Sequence, residues 1–142
     1  ACTLRGLKNT QVIDVLNIEN EKYDTVLLLM NGTGIFETLE RTTVYLQKLK
    51  SLLQPNGQIL IDSSDIIYMF DEDEDGGKWI PSDTYYGELT FTLQYKNETE
   101  APFPWLYMDY TTLQNAAIAN GLQCQLVLEG DHYDYLAQLT HL

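Results

Sequence analysis

Two stretches decide the fold: Tyr23-Asp24-Thr25-Val26-Leu27-Leu28-Leu29-Met30-Asn31-Gly32-Thr33-Gly34 and Leu53-Gln54-Pro55-Asn56-Gly57-Gln58-Ile59-Leu60-Ile61-Asp62-Ser63-Ser64-Asp65. Residues 25–30 form a continuous apolar run of strand length, the pattern of a parallel strand covered on both faces. From Ile35 the spacing becomes helical, with Ile35, Leu39, Leu46, Leu49, Leu52 and Leu53 on one face. Thr33 is the expected N-cap, and Pro55-Asn56-Gly57 stops the helix and turns the chain. Residues 58–62 then read as a second buried strand. Strand, crossover helix and strand make a βαβ unit, so the two strands should be parallel. Each ends in small polar residues, and in an open α/β sheet that edge lines the ligand crevice.

Working outward, residues 1–6 read as a helix end closed by Gly6. Residues 11–16 read as a strand finishing near Asp14, and 17–22 as a polar connector. Downstream, 66–70 suggest a short helical turn inside an acidic insertion, 66–83. Residues 88–95 alternate, with Leu89, Phe91, Leu93 and Tyr95 expected inward. Residues 104–110 form an aromatic-rich strand, and Thr111 or Thr112 caps a helix that runs to Asn120 and ends at Gly121. Residues 123–129 and 133–140 close the chain as a strand pair joined at Gly130-Asp131. The whole of 1–142 is expected to be one α/β domain, a parallel βαβ core with antiparallel C-terminal strands.

Composition excludes several classes of function. A formal net charge of −13, with only 8 Lys and Arg, repels phosphate backbones, so no nucleic acid is expected as partner. No apolar run has the length of a membrane span and no signal-peptide pattern is present, so a cytoplasmic setting is the default. Cys2 and Cys124 lack metal-ligand spacing and read as reduced thiols. Asp71-Glu72-Asp73-Glu74-Asp75-Gly76 matches the first half of a calcium-binding loop, but its twelfth position is Ser82 rather than Glu, so it reads as a solvated acidic loop and no metal is expected. His132 and His141 have no partner at ligand spacing.

The order Tyr-Asp-x-Val-Leu-Leu-Leu-Met-Asn-Gly, helix, Leu-x-Pro-x-Gly-Gln-Ile-Leu-Ile-Asp-Ser-Ser-Asp, aromatic strands, a helix ending Asn-Gly-Leu, and a final Tyr-Leu-Ala-Gln-Leu strand is similar to class I S-adenosylmethionine-dependent methyltransferases. The resemblance runs from the fourth strand of that Rossmann-like sheet to its end, with residues 11–16 resembling the third strand. It implies S-adenosylmethionine as cofactor and a small molecule or protein as methyl acceptor. It aligns Asp14 with the acidic residue that accepts from the adenine amino group, a charge-assisted bond. It places Asn31, Gly32 and Thr33 on the loop facing the methyl donor. Asp62, Ser63 and Asp65, with Trp79 as an aromatic wall, are the expected substrate side; no catalytic base is identified.

The family's glycine-rich loop and the acidic residue that binds the ribose have no counterpart in the chain. The chain also opens at Ala1 in what reads as a helix end. It is therefore expected to be the C-terminal portion of a methyltransferase domain, inactive alone. A non-catalytic α/β binding or oligomerisation module is the alternative. In the family's sheet the third and fourth strands are separated by the first and second. Residues 11–16 are thus expected to re-pair beside 26–30, or two chains to join as a homodimer through the exposed edge.

Overall fold

The computed structural model describes residues 3–70 and 84–142. In chain order the elements are β1 (Tyr23–Leu28), α1 (Thr42–Ser51), β2 (Leu53–Ser64), β3 (Glu88–Phe91), β4 (Gln94–Tyr95), β5 (Glu98–Thr99), β6 (Phe103–Leu106), α2 (Tyr110–Ala119), β7 (Leu122–Glu129) and β8 (Asp134–His141). Short 3-10 turns occupy Thr3–Arg5, Val15–Asn17, Gly32–Phe36 and Ile66–Met69. The main sheet has the order β1-β2-β8-β7, with β1 parallel to β2 and the other pairs antiparallel. The βαβ unit and the closing strand pair are as expected.

Alternation along β2 puts Ile59, Ile61 and Ser63 on one face, opposite Leu139, Ala137 and Tyr135 of β8. All six are buried, and α1 (Tyr45, Leu46, Leu49) and α2 (Leu113, Ala117) contribute to the same core. Each fully buried leucine or isoleucine there contributes about 1.5–3 kcal/mol. β1 departs from expectation: Val26 and Leu28 pack against this core, but Leu27 on the opposite face is 59% exposed. Among the described residues, β1 is covered on one face.

Residues 11–16 do not form a strand. The chain there is irregular until the turn Val15–Asn17, whose N-cap Asp14 accepts the Leu16 amide at 2.9 Å. A strand exists only as a hydrogen-bonded ladder, and among the described residues no partner lies beside 11–16. Among the described residues the expected re-pairing with 26–30 is likewise absent, and no strand pairs with the outer edge of β1. The expected continuous helix from Ile35 is broken by Glu37, whose φ of 70° reverses the chain. Thr33 consequently lies inside a 3-10 turn instead of capping a helix. Glu37 is fixed in that corner by an ion pair with Arg41 and by the Tyr45 hydroxyl, 3.3 Å away.

Pro55-Asn56-Gly57 does not end at a turn either. It sits inside β2 as an irregularity, because Tyr23 pairs with Leu53 whereas Thr25 already pairs with Gln58. The expected strand 88–95 divides: β3 pairs with β6, and β4 folds onto β5 around Lys96. Phe91, Leu93 and Tyr95, expected inward, are 36%, 57% and 70% exposed, because the chain leaves β6 after Phe91. The second aromatic strand is confined to Phe103–Leu106, and Asp109, not Thr111 or Thr112, caps the following helix. The acidic run 71–77 and Trp79 lie outside the described residues.

Candidate functional site

The C-terminal ends of β1 and β2 lie side by side, and the chain leaves β1 through two successive left-handed residues, Met30 (φ 64°) and Asn31 (φ 60°). Non-glycine residues seldom hold this conformation, and two in succession persist only where surrounding contacts enforce them. Here the enforcement is visible. Asn31 Nδ2 donates to the Leu106 carbonyl at 3.1 Å, and Asn31 Oδ1 accepts from Ser63 Oγ at 2.8 Å. Thr33 Oγ1 donates to the same Leu106 carbonyl at 2.9 Å and lies 2.7 Å from Ser63 Oγ. Ser63 Oγ accepts the Met108 amide at 3.0 Å.

Thr33 and Ser63 are 0% and 2% exposed, so their hydroxyls face protein. Met30, by contrast, is 90% exposed at the sheet edge. Gly32 donates its amide to Asp62 Oδ1 at 3.0 Å. A Cβ on Gly32 would come within 2.6 Å of the Leu28 Cβ, so the residue is small to let the turn pack on β1.

Two clefts flank this centre. One, of about 590 Å³, is lined by Asp65, Asp109, Tyr110, Glu129, Asp131 and Tyr133 among others. Asp65 Oδ1 accepts the Ile67 amide at 3.0 Å and the Tyr86 hydroxyl at 2.7 Å. Asp109 accepts the Thr112 amide at 3.1 Å, the Thr112 hydroxyl and the Tyr85 hydroxyl. Burial pushes against ionisation of Asp109, but the hydrogen bonds from Thr112 and Tyr85 outweigh it and hold the carboxyl below its ordinary value. Tyr85 is pushed up to about 12, by burial first and by its bond to Asp109 second. Burial, then the bond to Asp65, likewise raises Tyr86.

The other cleft, of about 350 Å³, is lined by Ile13, Asp14, Val15, Ile35, Glu37 and Tyr45. The turn Gly32–Phe36 touches Asp62 through Gly32 and lines the second cleft through Ile35. The structure thus gathers Asn31, Gly32, Thr33, Asp62 and Ser63 around one network, puts Asp65 in the first cleft and leaves Asp14 in the second. Sequence reasoning missed Tyr85, Leu106, Met108 and Asp109. Only Asp109 carried a signal, as an Asp three residues before a Thr at a helix start. Among the described residues, no group of three or more His, Cys, Asp and Glu is arranged to hold a metal. No described helix is long and apolar enough to cross a membrane.

No family model and no curated relative matches the chain. Solved structures do match. A S-adenosylmethionine-dependent methyltransferase from Bacteroides fragilis, in complex with S-adenosyl-L-homocysteine, is 45% identical with a TM-score of 0.88 over 98% of this chain. The chain spans 56% of that protein's length. A S-adenosylmethionine-dependent methyltransferase from Clostridium acetobutylicum matches 99% of this chain and 68% of its own, at 12% identity and a TM-score of 0.64. The sugar N-methyltransferase KedS8 from Streptoalloteichus sp. matches 97% of this chain and 65% of its own, at 13% identity and a TM-score of 0.63.

Proposed function

We propose that this chain, which has the fold of the class I S-adenosylmethionine-dependent methyltransferases, belongs to an enzyme that transfers a methyl group from S-adenosylmethionine to a small-molecule or protein acceptor. The observation that carries the reading is the 45% identity to the Bacteroides fragilis structure across 98% of the chain, in a protein bound to the demethylated cofactor. Because the chain spans 56% of that protein, we read it as the C-terminal share of such a domain, inactive alone. No observation favours the non-catalytic module.

The second cleft fits one end of the cofactor. Asp14 supplies a carboxylate acceptor for an exocyclic amine, while Val15, Ile35 and the Tyr45 ring give apolar walls for a purine. When bound, the cofactor supplies a sulfonium methyl open to in-line displacement, so the protein's task is chiefly positioning. Met30, Asn31, Gly32 and Thr33 form the turn beside the donor, contributing backbone and the exposed Met30 side chain, since the Asn31 and Thr33 side chains point into the protein. Asp62, Ser63 and Asp65 build the acceptor side: Asp65 lines the first cleft, while Asp62 and Ser63 fix the turn. Trp79 is kept as an acceptor-side aromatic on its sequence alone. A cytoplasmic setting agrees with a free, buried Cys124, whose thiol burial pushes up to about 11.

Calorimetric titration of S-adenosylhomocysteine tests the reading. The complete protein should bind it, Asp14→Ala should weaken binding by about tenfold, the loss of one charge-assisted bond, and this chain alone should show little binding. Absence of binding to the complete protein overturns the assignment.

A further inference from the structure

The hydrogen bonds at the end of β1 do more than satisfy a turn, because they cross to a different part of the fold. The Leu106 carbonyl, last in β6, receives two donors from the β1 turn, Asn31 Nδ2 and Thr33 Oγ1, across 75 and 73 residues of sequence. The Met108 amide donates to Ser63 Oγ at the end of β2. The hydroxyl protons of Thr33 and Ser63 are shared among the Leu106 carbonyl, Asn31 Oδ1 and each other. Among the described residues no buried side-chain nitrogen or oxygen lacks a partner. In a dry setting such a network holds its members in one arrangement, and losing the Ser63 hydroxyl leaves the Met108 amide without its acceptor.

The fixed segment leads directly into the acceptor cleft. Asp109 follows Met108, lines that cleft and donates its amide to the Tyr85 hydroxyl at 2.9 Å. Tyr107 donates its amide to the Gly87 carbonyl at 2.8 Å, carrying the constraint into the start of β3. A second contact runs the same way: Trp105 of β6 lies on Gly34, so closely that a Cβ there would fall 2.1 Å from the indole.

The geometry points to Asn31, Thr33 and Ser63 as positioning residues whose side chains register the β3–β6 lobe, and with it Asp109 in the acceptor cleft, against the turn beside the methyl donor. This rests on the methyltransferase reading of the sheet edge. Their contribution to the reaction is alignment of acceptor with donor, separate from direct contact with either.

Amide hydrogen exchange on the chain tests the coupling. Thr33→Val removes the hydroxyl at nearly constant volume, and Thr33→Ser keeps it. In Thr33→Val the amides of Met108 and Asp109 should exchange about tenfold faster, with the central amides of β2 and β8 unchanged, and Thr33→Ser should restore slow exchange. Unchanged exchange at Met108 and Asp109 in Thr33→Val, or uniform acceleration across the sheet, overturns the proposal. In the complete enzyme, Thr33→Val should lower kcat by about tenfold while S-adenosylhomocysteine affinity stays within about threefold, the split expected when alignment alone is lost. Equal loss of affinity and kcat counts against positioning. If the wild-type protein fails to bind S-adenosylhomocysteine, the functional reading falls, while the exchange result still decides the coupling.

Discussion

Gly34 shows how one missing side chain fixes an interface. The Trp105 indole occupies the space where any other residue would place its Cβ. Gly34→Ala should therefore overpack the contact and destabilise the chain by about 1–3 kcal/mol, read as a lower urea midpoint with unchanged slope. No change would mean that Trp105 finds an alternative seat at no cost. Tyr85 offers a second residue-scale test. Burial, aided by the bond to Asp109, pushes its phenol up to about 12, so the folded chain holds this proton more tightly than the unfolded one. The resulting stabilisation is complete below about pH 10, the ordinary tyrosine value, and is lost as pH rises towards the folded value. Phenolate absorbance should show a step near pH 12 that Tyr85→Phe removes. Neither residue was legible beforehand. Thr33 and Leu106 are 73 residues apart, and nothing local in a sequence marks a hydroxyl that will meet a carbonyl so distant.

Among the elements, the parts whose identity follows from local pattern were readable, and those defined by a neighbour were not. The apolar runs of β1 and β2, the alanine-rich α2 and the hairpin of β7 and β8 carry periodicity within a few residues. Residues 11–16 have the same strand-like composition, yet they fold into a coil and a 3-10 turn because no ladder is offered to them. Glu37 gives no hint of its left-handed backbone, which costs about 1–3 kcal/mol and is held by Arg41 and Tyr45. At α2 the sequence points to Thr111 or Thr112 as the cap, and Asp109 takes the place instead, with a carboxylate that also accepts from Tyr85. Asp109→Ala should thus cost about 1–2 kcal/mol, the range for a lost cap, while Asp109→Asn retains most of it; thermal unfolding distinguishes the two. Equal stability of Asp109→Ala and wild type would show that Thr111 or Thr112 takes over. Since this carboxyl sits below its ordinary value, its stabilisation is present above about pH 3.9 and is lost as pH falls through the folded value.

For the molecule as a whole, the edge of β1, on which no described strand pairs, sets an association tendency against the charge. Leu27, Leu29 and Met30 are 59%, 53% and 90% exposed beside open backbone groups, which favours edge-to-edge pairing. A net charge of −13 opposes it, and salt screens that repulsion over about 10 Å at 0.1 M. Sedimentation at micromolar concentration should show a monomer in low salt and growing dimer as salt rises; a monomer throughout rules the edge out as an interface.

The strand order also dictates how the chain assembles in time. β1, α1 and β2 are neighbours in sequence, and so are α2, β7 and β8, so each group closes only short loops. They meet along the β2–β8 seam, where Gln138 donates to Gln58 across 80 residues, and where α1 reaches the end of α2 through Gln47 and Asn120. Closing so long a loop is the slow kind of step in folding. β2 and β8 should accordingly zip together last, joining two preformed halves. Ser63 stands near one end of that seam, opposite Tyr135, so the β1 turn and the β3–β6 lobe should come into register only once that pairing has formed.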